Sequence, residues 1–346
     1  MNLALTFDDV ALVPQFNNVL SRDLPSLETW ITKDYKAKIP YIPANMDTVI
    51  SPDLAWEMDE FGGMWIIHRF TKDLKTELKK YPPSACISWG VRPETTDDLI
   101  KVIHDIIDDI KLWGVCIDVA HAHSIMALNM ITTIKSNFSN LQIIAGNVCT
   151  ARGYRDLVNA GADAVKVGVG CGAACTTRVV TGFGVPQFTA IQECAAEAIR
   201  MRIPIIADGG IRNSRDIVLA LAAGASSVMM GKMFAACIES AAEKRDHLPG
   251  HILGTNPNLL WVEAKYRGQA SFDFQQEFYG EVKHAPEGEA IWIKTTGLVK
   301  DLLESLNQQV KVGMTYGGAT SIKELQRKAE FVRVTPTYQQ ESGIRP

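Results

Sequence analysis

Ala164-Val165-Lys166-Val167 runs directly into Gly168-Val169-Gly170-Cys171-Gly172-Ala173-Ala174-Cys175-Thr176-Thr177-Arg178, a short apolar segment followed by a glycine-rich loop that ends in a cysteine and two threonines. Continuous rather than alternating hydrophobicity is the pattern of a strand buried on both faces. The glycines let backbone groups come close to a ligand or ion, because they lack Cβ and accept positive φ. A cysteine closing such a loop is a candidate covalent nucleophile, with Thr177 two residues on as a proton relay; the plainer reading is a buried loop cysteine. Gly184-Val185-Pro186-Gln187 follows shortly after and makes the pattern far more specific than a single GxG run.

Outward from this segment the same kind of run recurs. Tyr41-Ile42-Pro43-Ala44, Met64-Trp65-Ile66-Ile67-His68, Ala85-Cys86-Ile87-Ser88, Val115-Cys116-Ile117-Asp118 and Ile143-Ile144-Ala145-Gly146 precede it. Pro204-Ile205-Ile206-Ala207-Asp208 and Ser227-Val228-Met229-Met230-Gly231 follow it. Helix-like segments lie between them, for example Asp97 to Leu112 and Ser214 to Ala223. Eight buried strands alternating with helices predict a (β/α)8 TIM barrel, a single catalytic domain over residues 1–346. Polar and glycine residues gather at the C-terminal strand ends, where such barrels build their sites. After the last strand the pattern breaks: residues 266–296 are polar and aromatic-rich, as expected of a flap over the barrel mouth. A final helix is expected over Asp301 to Val310.

The chain has 346 residues, 47% of them hydrophobic and 21% charged, with a formal net charge of −4. That balance suits a globular protein with a sizeable core and gives no electrostatic case for nucleic acid or anionic membrane as partner. Met1 to Pro14 contains Asp8 and Asp9 and lacks the basic start and apolar run of a secretory leader, and no stretch is apolar for about 18 residues, so a cytoplasmic location is expected. Seven cysteines, none in CxxC pairs, fit a reducing compartment. Cys171 and Cys175 lack histidines at metal spacing, so zinc is not expected.

These residues resemble the inosine-monophosphate dehydrogenase and guanosine-monophosphate reductase superfamily. The likeness covers nearly the whole chain: Thr6-Phe7-Asp8-Asp9-Val10, Ala44-Asn45-Met46-Asp47-Thr48-Val49, Ala145-Gly146-Asn147-Val148, the Cys-Thr-Thr loop, Asp208-Gly209-Gly210 and Gly231-Lys232 all match its motifs. The resemblance implies that the Cys175 thiolate adds to C2 of a purine nucleotide to form a covalent thioimidate. It also implies that Thr177 and Glu287, in Ala285-Pro286-Glu287-Gly288, handle the proton of the leaving group; Glu289 lies close enough in sequence to be confused with Glu287. Asp208 is expected on the ribose hydroxyls, with Gly209, Gly210, Gly231 and Lys232 cradling the phosphate, and Tyr266, Gly268, Gln269 and Ala270 closing the site. On the nicotinamide side the resemblance implies Asp118, Val119, Ala120 and Asn147, while Arg69, with Ser21 and Arg22 from a neighbouring subunit of a homotetramer, is expected to pair with a 2′-phosphate and favour NADPH. The carbonyls of Gly170, Gly172 and Cys175 are the expected ligands of a potassium ion. His121 and His123 are expected to orient a strand end rather than to act in catalysis.

Four features choose between the branches, one of them Ala44-Asn45-Met46. The segment from His68 to Ala85 leaves no room for the regulatory CBS insert usual in the dehydrogenases. Asp118-Val119-Ala120 matches the reductase version of its motif. Between Gly268 and Lys283 there is no arginine to serve the water-activating Arg-Tyr pair of a dehydrogenase flap. The expected activity is therefore NADPH-dependent reductive deamination of GMP to IMP and ammonia. The alternatives are an IMP dehydrogenase without a regulatory domain and a weakened purine-nucleotide-binding homologue. The latter is motivated by two departures from the family pattern, Ala173 in place of serine and Gln269 in place of methionine. Lys232, where relatives carry serine or glycine, is a cation able to compensate for the hydroxyl lost at Ala173.

Overall fold

The computed structural model describes residues 3–71, 73–92, 95–107, 109–246 and 262–342. Seven of the eight apolar runs form one parallel sheet: β1 (Tyr41–Pro43), β2 (Ser84–Trp89), β3 (Lys111–Asp118), β4 (Gln142–Val148), β5 (Ala164–Val167), β6 (Ile205–Asp208) and β7 (Ser227–Met230). Their spatial order, β1-β7-β6-β5-β4-β3-β2, places the first strand beside the last. The remaining run, 64–68, is an extended segment joined to β2 through a parallel bridge between Ile67 and Ile87, so it occupies the position between β1 and β2 in sequence and on the sheet edge. The fold is a (β/α)8 barrel without a CBS insert. Every residue of β1, β4, β5 and β7 is buried, which is why these runs are continuously apolar.

Helices cover the outside, and side chains at strand ends start them. Ser124 caps Ile125–Asn137, Thr150 caps Ala151–Ala160 and Asn213 caps Ser214–Ala222, each side chain accepting from a backbone N–H of the first turn. Thr6 and Asp9 form a reciprocal capping box at the N-terminus. Asp8 pairs with Arg212, and the Phe7 and Val10 carbonyls accept from Arg215 (2.9 and 2.7 Å). The N-terminal motif thus braces the segment that leaves Asp208-Gly209-Gly210.

The boundaries differ from the sequence expectation in three places. The helix expected over Asp97 to Leu112 spans Thr95–Ile106, because Leu112 is drawn into β3 against Ala85. The helix expected over Asp301 to Val310 runs from Val299 to Tyr316 and includes Met314-Thr315-Tyr316. The flap is not a bare loop. Strands β8 (Lys244–Asp246), β9 (Val262–Arg267) and β10 (Ala290–Lys294) form an antiparallel sheet, and the helix Phe272–Tyr279 stands on it. That helix is held by Phe70, whose ring lies 4.4 Å from Phe274 and 5.1 Å from Phe278. An aromatic partner some two hundred residues away in the chain is what makes this segment a folded unit.

Candidate active site

The loop after β5 is fixed from both sides. Gln187 donates from Nε2 to the carbonyls of Val167 (2.8 Å) and Asp208 (3.2 Å), so it ties the ends of β5 and β6 together. Arg178 donates to the Val185 carbonyl (2.7 Å). These three bonds explain why the Gly-Val-Pro-Gln segment accompanies the cysteine loop. At Gly168 (φ +149°) a Cβ would lie 2.0 Å from the Asp208 carbonyl oxygen, so only glycine permits this close approach.

The flap reaches back onto the same loop. Thr176 N–H donates to the Glu287 carbonyl (3.0 Å), and Glu289 N–H donates to the Ala174 carbonyl (3.0 Å). Glu287 N–H donates to Ala270, and Gly268 N–H to Glu289, each at 3.0 Å. Gly268 and Gly288 are glycines for a steric reason: a Cβ on either would stand 3.0–3.1 Å from the Ala174 carbonyl and 3.2 Å from the other glycine's Cα.

This clamp creates the central contact of the site. Cys175 Sγ lies 3.2 Å from Thr177 Oγ1, and the Thr177 hydroxyl donates to Glu287 Oε2 at 2.8 Å. A thiol, a hydroxyl and a carboxylate are in series, an arrangement able to take a proton from sulfur and deliver it elsewhere. The pairing is made by Glu287; Glu289 contributes its backbone to the clamp. Cys171, the other thiol of the loop, instead donates to Gln187 Oε1 (3.3 Å) and the Asp208 carbonyl (3.2 Å). Burial pushes the Cys171 thiol up to about 12, which keeps it protonated and inert at neutral pH.

Cys175, Thr177 and Glu287 line a cavity of about 380 Å³, of the size that small-molecule sites have. The same cavity collects Asp208, Gly209, Gly210, Gly231, Lys232, Tyr266, Gly268, Gln269 and Ala270, with Gly170, Gly172 and Ala173 along its loop wall. Gly209 and Gly210 have φ of +90° and +78°, which turns the backbone at the end of β6 toward the cavity. Gly231 admits the Tyr266 ring, whose hydroxyl would be 2.4 Å from a Cβ there. Of the three carbonyls expected to face a cation, that of Gly172 accepts the Cys175 N–H at 3.1 Å. Among the described residues no group of three or more His, Cys, Asp or Glu could hold a metal ion.

A second cavity of about 220 Å³ adjoins the first and shares Ala120, Asn147, Asp208, Gln269 and Ala270 with it. Asp118, Val119, Arg69 and Lys166 are among the other residues that line it. Gln269 forms part of the wall common to both, held by a bond from Nε2 to the Asn45 carbonyl (2.9 Å). Asn147 donates to Gly168 (2.7 Å) and to Asp208 (2.9 Å), while its Oδ1 is buried without a partner. Arg69 Nε is likewise buried and unbonded, 3.8 Å from Asp118. Both are enclosed polar atoms, without a hydrogen-bond partner among the described residues, in side chains that line this cavity. Arg69 also lines a further cavity of about 310 Å³ with Trp89 and Thr71, so the groove continues outward past it.

Ser21 and Arg22 are not brought to either cavity of their own chain; they lie on an exposed N-terminal arm. His123 bonds Asp156 (2.9 Å), in keeping with an orienting part, and His121 is exposed. One site residue escaped sequence reasoning. Lys166, inside β5 and 2% exposed, places Nζ 2.8 Å from Asp118 and 3.2 Å from Asp208. A lysine in an otherwise apolar strand is the signal that would have found it, since buried cations are paired.

A parallel barrel with a thiol relay and two adjoining cavities at its strand ends defines the class, and the comparisons supply the family. A family model described as the IMP dehydrogenase / GMP reductase domain matches residues 4–345. The chain belongs to that family of oxidoreductases, which bind purine mononucleotides and use NAD(P) as redox cofactor. It is 34% identical to an inosine-5'-monophosphate dehydrogenase of Borreliella burgdorferi over 98% of this chain and 96% of that protein. It is 36% identical to a GMP reductase of Helicobacter pylori, and 35% to one of Pediococcus pentosaceus, each over 95% of both chains. Relatives of both names stand at similar identity, so the comparisons leave the branch to the chemistry of the site. No helix among the described residues is long and apolar enough to cross a membrane.

Proposed function

We propose that this chain is the reductase of the family, converting GMP to IMP and ammonia at the expense of NADPH. The observation that carries the reading is the Cys175–Thr177–Glu287 series, together with a flap that has no arginine between Gly268 and Lys283. The arginine preceding the flap helix, Arg267, is committed elsewhere: it pairs with Asp47 and Glu277, with its guanidinium 5.4 Å from the Phe274 ring. The flap therefore offers a proton relay, and the cation over its tyrosine is a lysine, Lys283 at 5.3 Å from the Tyr279 ring centroid, in place of the arginine of the dehydrogenase pair.

In this reading the Asp208 carboxylate accepts from the ribose hydroxyls, and Gly209, Gly210, Gly231 and Lys232 meet the phosphate. Cys175 adds to C2 of guanine, and its proton passes through Thr177 to Glu287. Glu287 returns protons through Thr177 to the 2-amino group, which leaves as ammonia and creates the thioimidate between Cys175 and C2. Bound NADPH supplies the hydride that reaches C2 as the carbon–sulfur bond breaks, so that GMP, NADPH and two protons give IMP, NADP⁺ and ammonium. Asn147 and Arg69 orient the carboxamide in the second cavity beside Asp118, Val119 and Ala120. Exposed Phe16, Leu20 and Leu24 support a homotetramer in which Ser21 and Arg22 reach a neighbour's cofactor groove. A potassium ion at the Gly170, Gly172 and Cys175 carbonyls belongs to the same reading.

The test is absorbance at 340 nm with GMP plus NADPH against IMP plus NAD⁺, with products separated chromatographically. Loss of NADPH only with GMP, with IMP formed, is expected. NADH produced only from IMP would refute the branch assignment.

A further inference from the structure

We propose that Lys166 is a positioning residue common to both halves of the site, holding Asp208 for the nucleotide and Asp118 for the dinucleotide from one ammonium group. The inference rests on the reading of the two cavities given above. Lys166 sits at the centre of β5, and Gly146 on the neighbouring strand makes room for it: a Cβ there would be 2.4 Å from Lys166 Cβ. Asp208 Oδ2 accepts from both Lys166 and Asn147, so that oxygen is satisfied inside the barrel. Among the described residues Asp208 Oδ1 accepts no hydrogen bond, which leaves it for a ligand. Asp118 is held the same way, Oδ1 on Lys166 and Oδ2 toward Arg69.

Arg69 is the charged neighbour, its guanidinium 3.8 Å from Asp118, and the thiols and phenol around the cluster are neutral at physiological pH. Burial pushes the thiols of Cys116 and Cys171 up to about 12 each and raises the Tyr266 phenol, and these are the groups that face Lys166 and Asp208 from β3, the loop after β5 and β9. Burial alone would favour a neutral Lys166, but the two carboxylates outweigh it and hold the proton on. Removing the ammonium leaves the buried Asp118 carboxylate and the partly exposed Asp208 carboxylate within hydrogen-bonding reach of one vacated point, with Arg69 beside the first and the Asn147 amide on the second. Like charges so placed do not both ionise at neutral pH, and the pair takes up one shared proton. Each ligand then meets a carboxylate whose charge depends on the other cavity's carboxylate.

The experiment compares wild type with Lys166→Met and Lys166→Arg, titrating GMP and NADP⁺ separately by calorimetry from acid to alkaline pH. In Lys166→Met both affinities are expected to fall tenfold or more and to vary with pH through one common midpoint absent from wild type. Lys166→Arg should restore both affinities without the midpoint. A loss confined to one ligand, or a loss of both that is flat with pH, overturns the proposal, since lost packing would give the latter. The urea-unfolding free energies of ligand-free wild type and Lys166→Met should diverge through the same midpoint; parallel curves would also overturn it. Wild type that binds neither GMP nor IMP would refute the reading of the site and leave the unfolding curves to decide Lys166 by themselves.

Discussion

Replacing Glu287 with glutamine removes a charge and a proton acceptor while leaving the polypeptide around it unchanged. The flap is clamped through the Glu287 backbone, at Thr176 and Ala270, and glutamine keeps both bonds. The glutamine oxygen still accepts from the Thr177 hydroxyl, so the 2.8 Å contact persists. What is lost is the ability to store the proton taken from Cys175 and return it to the amine. General acid–base catalysis of this kind is worth about 10²–10⁴ in rate, and a relay with one member intact is expected to lose about 10²–10³, roughly 3–4 kcal/mol of transition-state stabilisation. The nucleotide contacts at Asp208 and the glycine backbones are untouched, so KM for GMP should stay within about threefold. The assay is steady-state NADPH consumption with GMP, paired with rapid-quench mass spectrometry of the Cys175 adduct. A kcat within threefold of wild type would refute the relay, as would a fall in rate accounted for wholly by KM.

Three further outcomes are expected. Cys175→Ala should abolish turnover while Cys171→Ala retains most of it; iodoacetamide near neutral pH should label Cys175 in competition with GMP and spare Cys171, whose thiol burial keeps protonated. Lys232→Ala should weaken GMP binding about tenfold at low salt and progressively less as salt screens the charge, with no effect on guanosine; unchanged GMP affinity would remove Lys232 from the phosphate site. Gly288→Ala places a methyl 3.0 Å from the Ala174 carbonyl. It should part the flap from the cysteine loop and lower kcat at least tenfold with the melting temperature nearly unchanged, and wild-type kcat in a folded variant would show the clamp to be dispensable.

The barrel was legible because burial on both faces leaves a strand no polar positions to spare. Ile143-Ile144-Ala145 and Ser227-Val228-Met229-Met230 could hardly be read otherwise. The 64–68 run met the same criterion and yet forms a single bridge, because apolarity reports burial and not hydrogen-bond pairing. The Cys-Thr-Thr loop declared itself through local spacing, whereas its partner Glu287 is 110 residues from Thr177 and was reachable only through family likeness. Which of Glu287 and Glu289 carries the carboxylate is decided by the clamp's pairing, a tertiary fact with no local sequence signal. Lys166 was read as part of a strand because its two partners come from strands far off in the chain. The helix Phe272–Tyr279 has no clear sequence signal because its aromatic residues acquire a core only when Phe70 arrives.

The clamp has a consequence for how this barrel diversifies. Everything between Gly268 and Glu287 leaves and rejoins the cysteine loop at points bonded to each other, Gly268 to Glu289 and Glu287 to Ala270. Inside that excursion, Gln275 ties the chain to itself at Lys283 and His284. The excursion is thus a cassette. Insertions, deletions or a new cation within it alter what stands over the thiol without shifting Glu287 against Thr177. One active site is in this way open to exchange of its second chemical step by replacement of a single short segment, with the first step conserved beneath it.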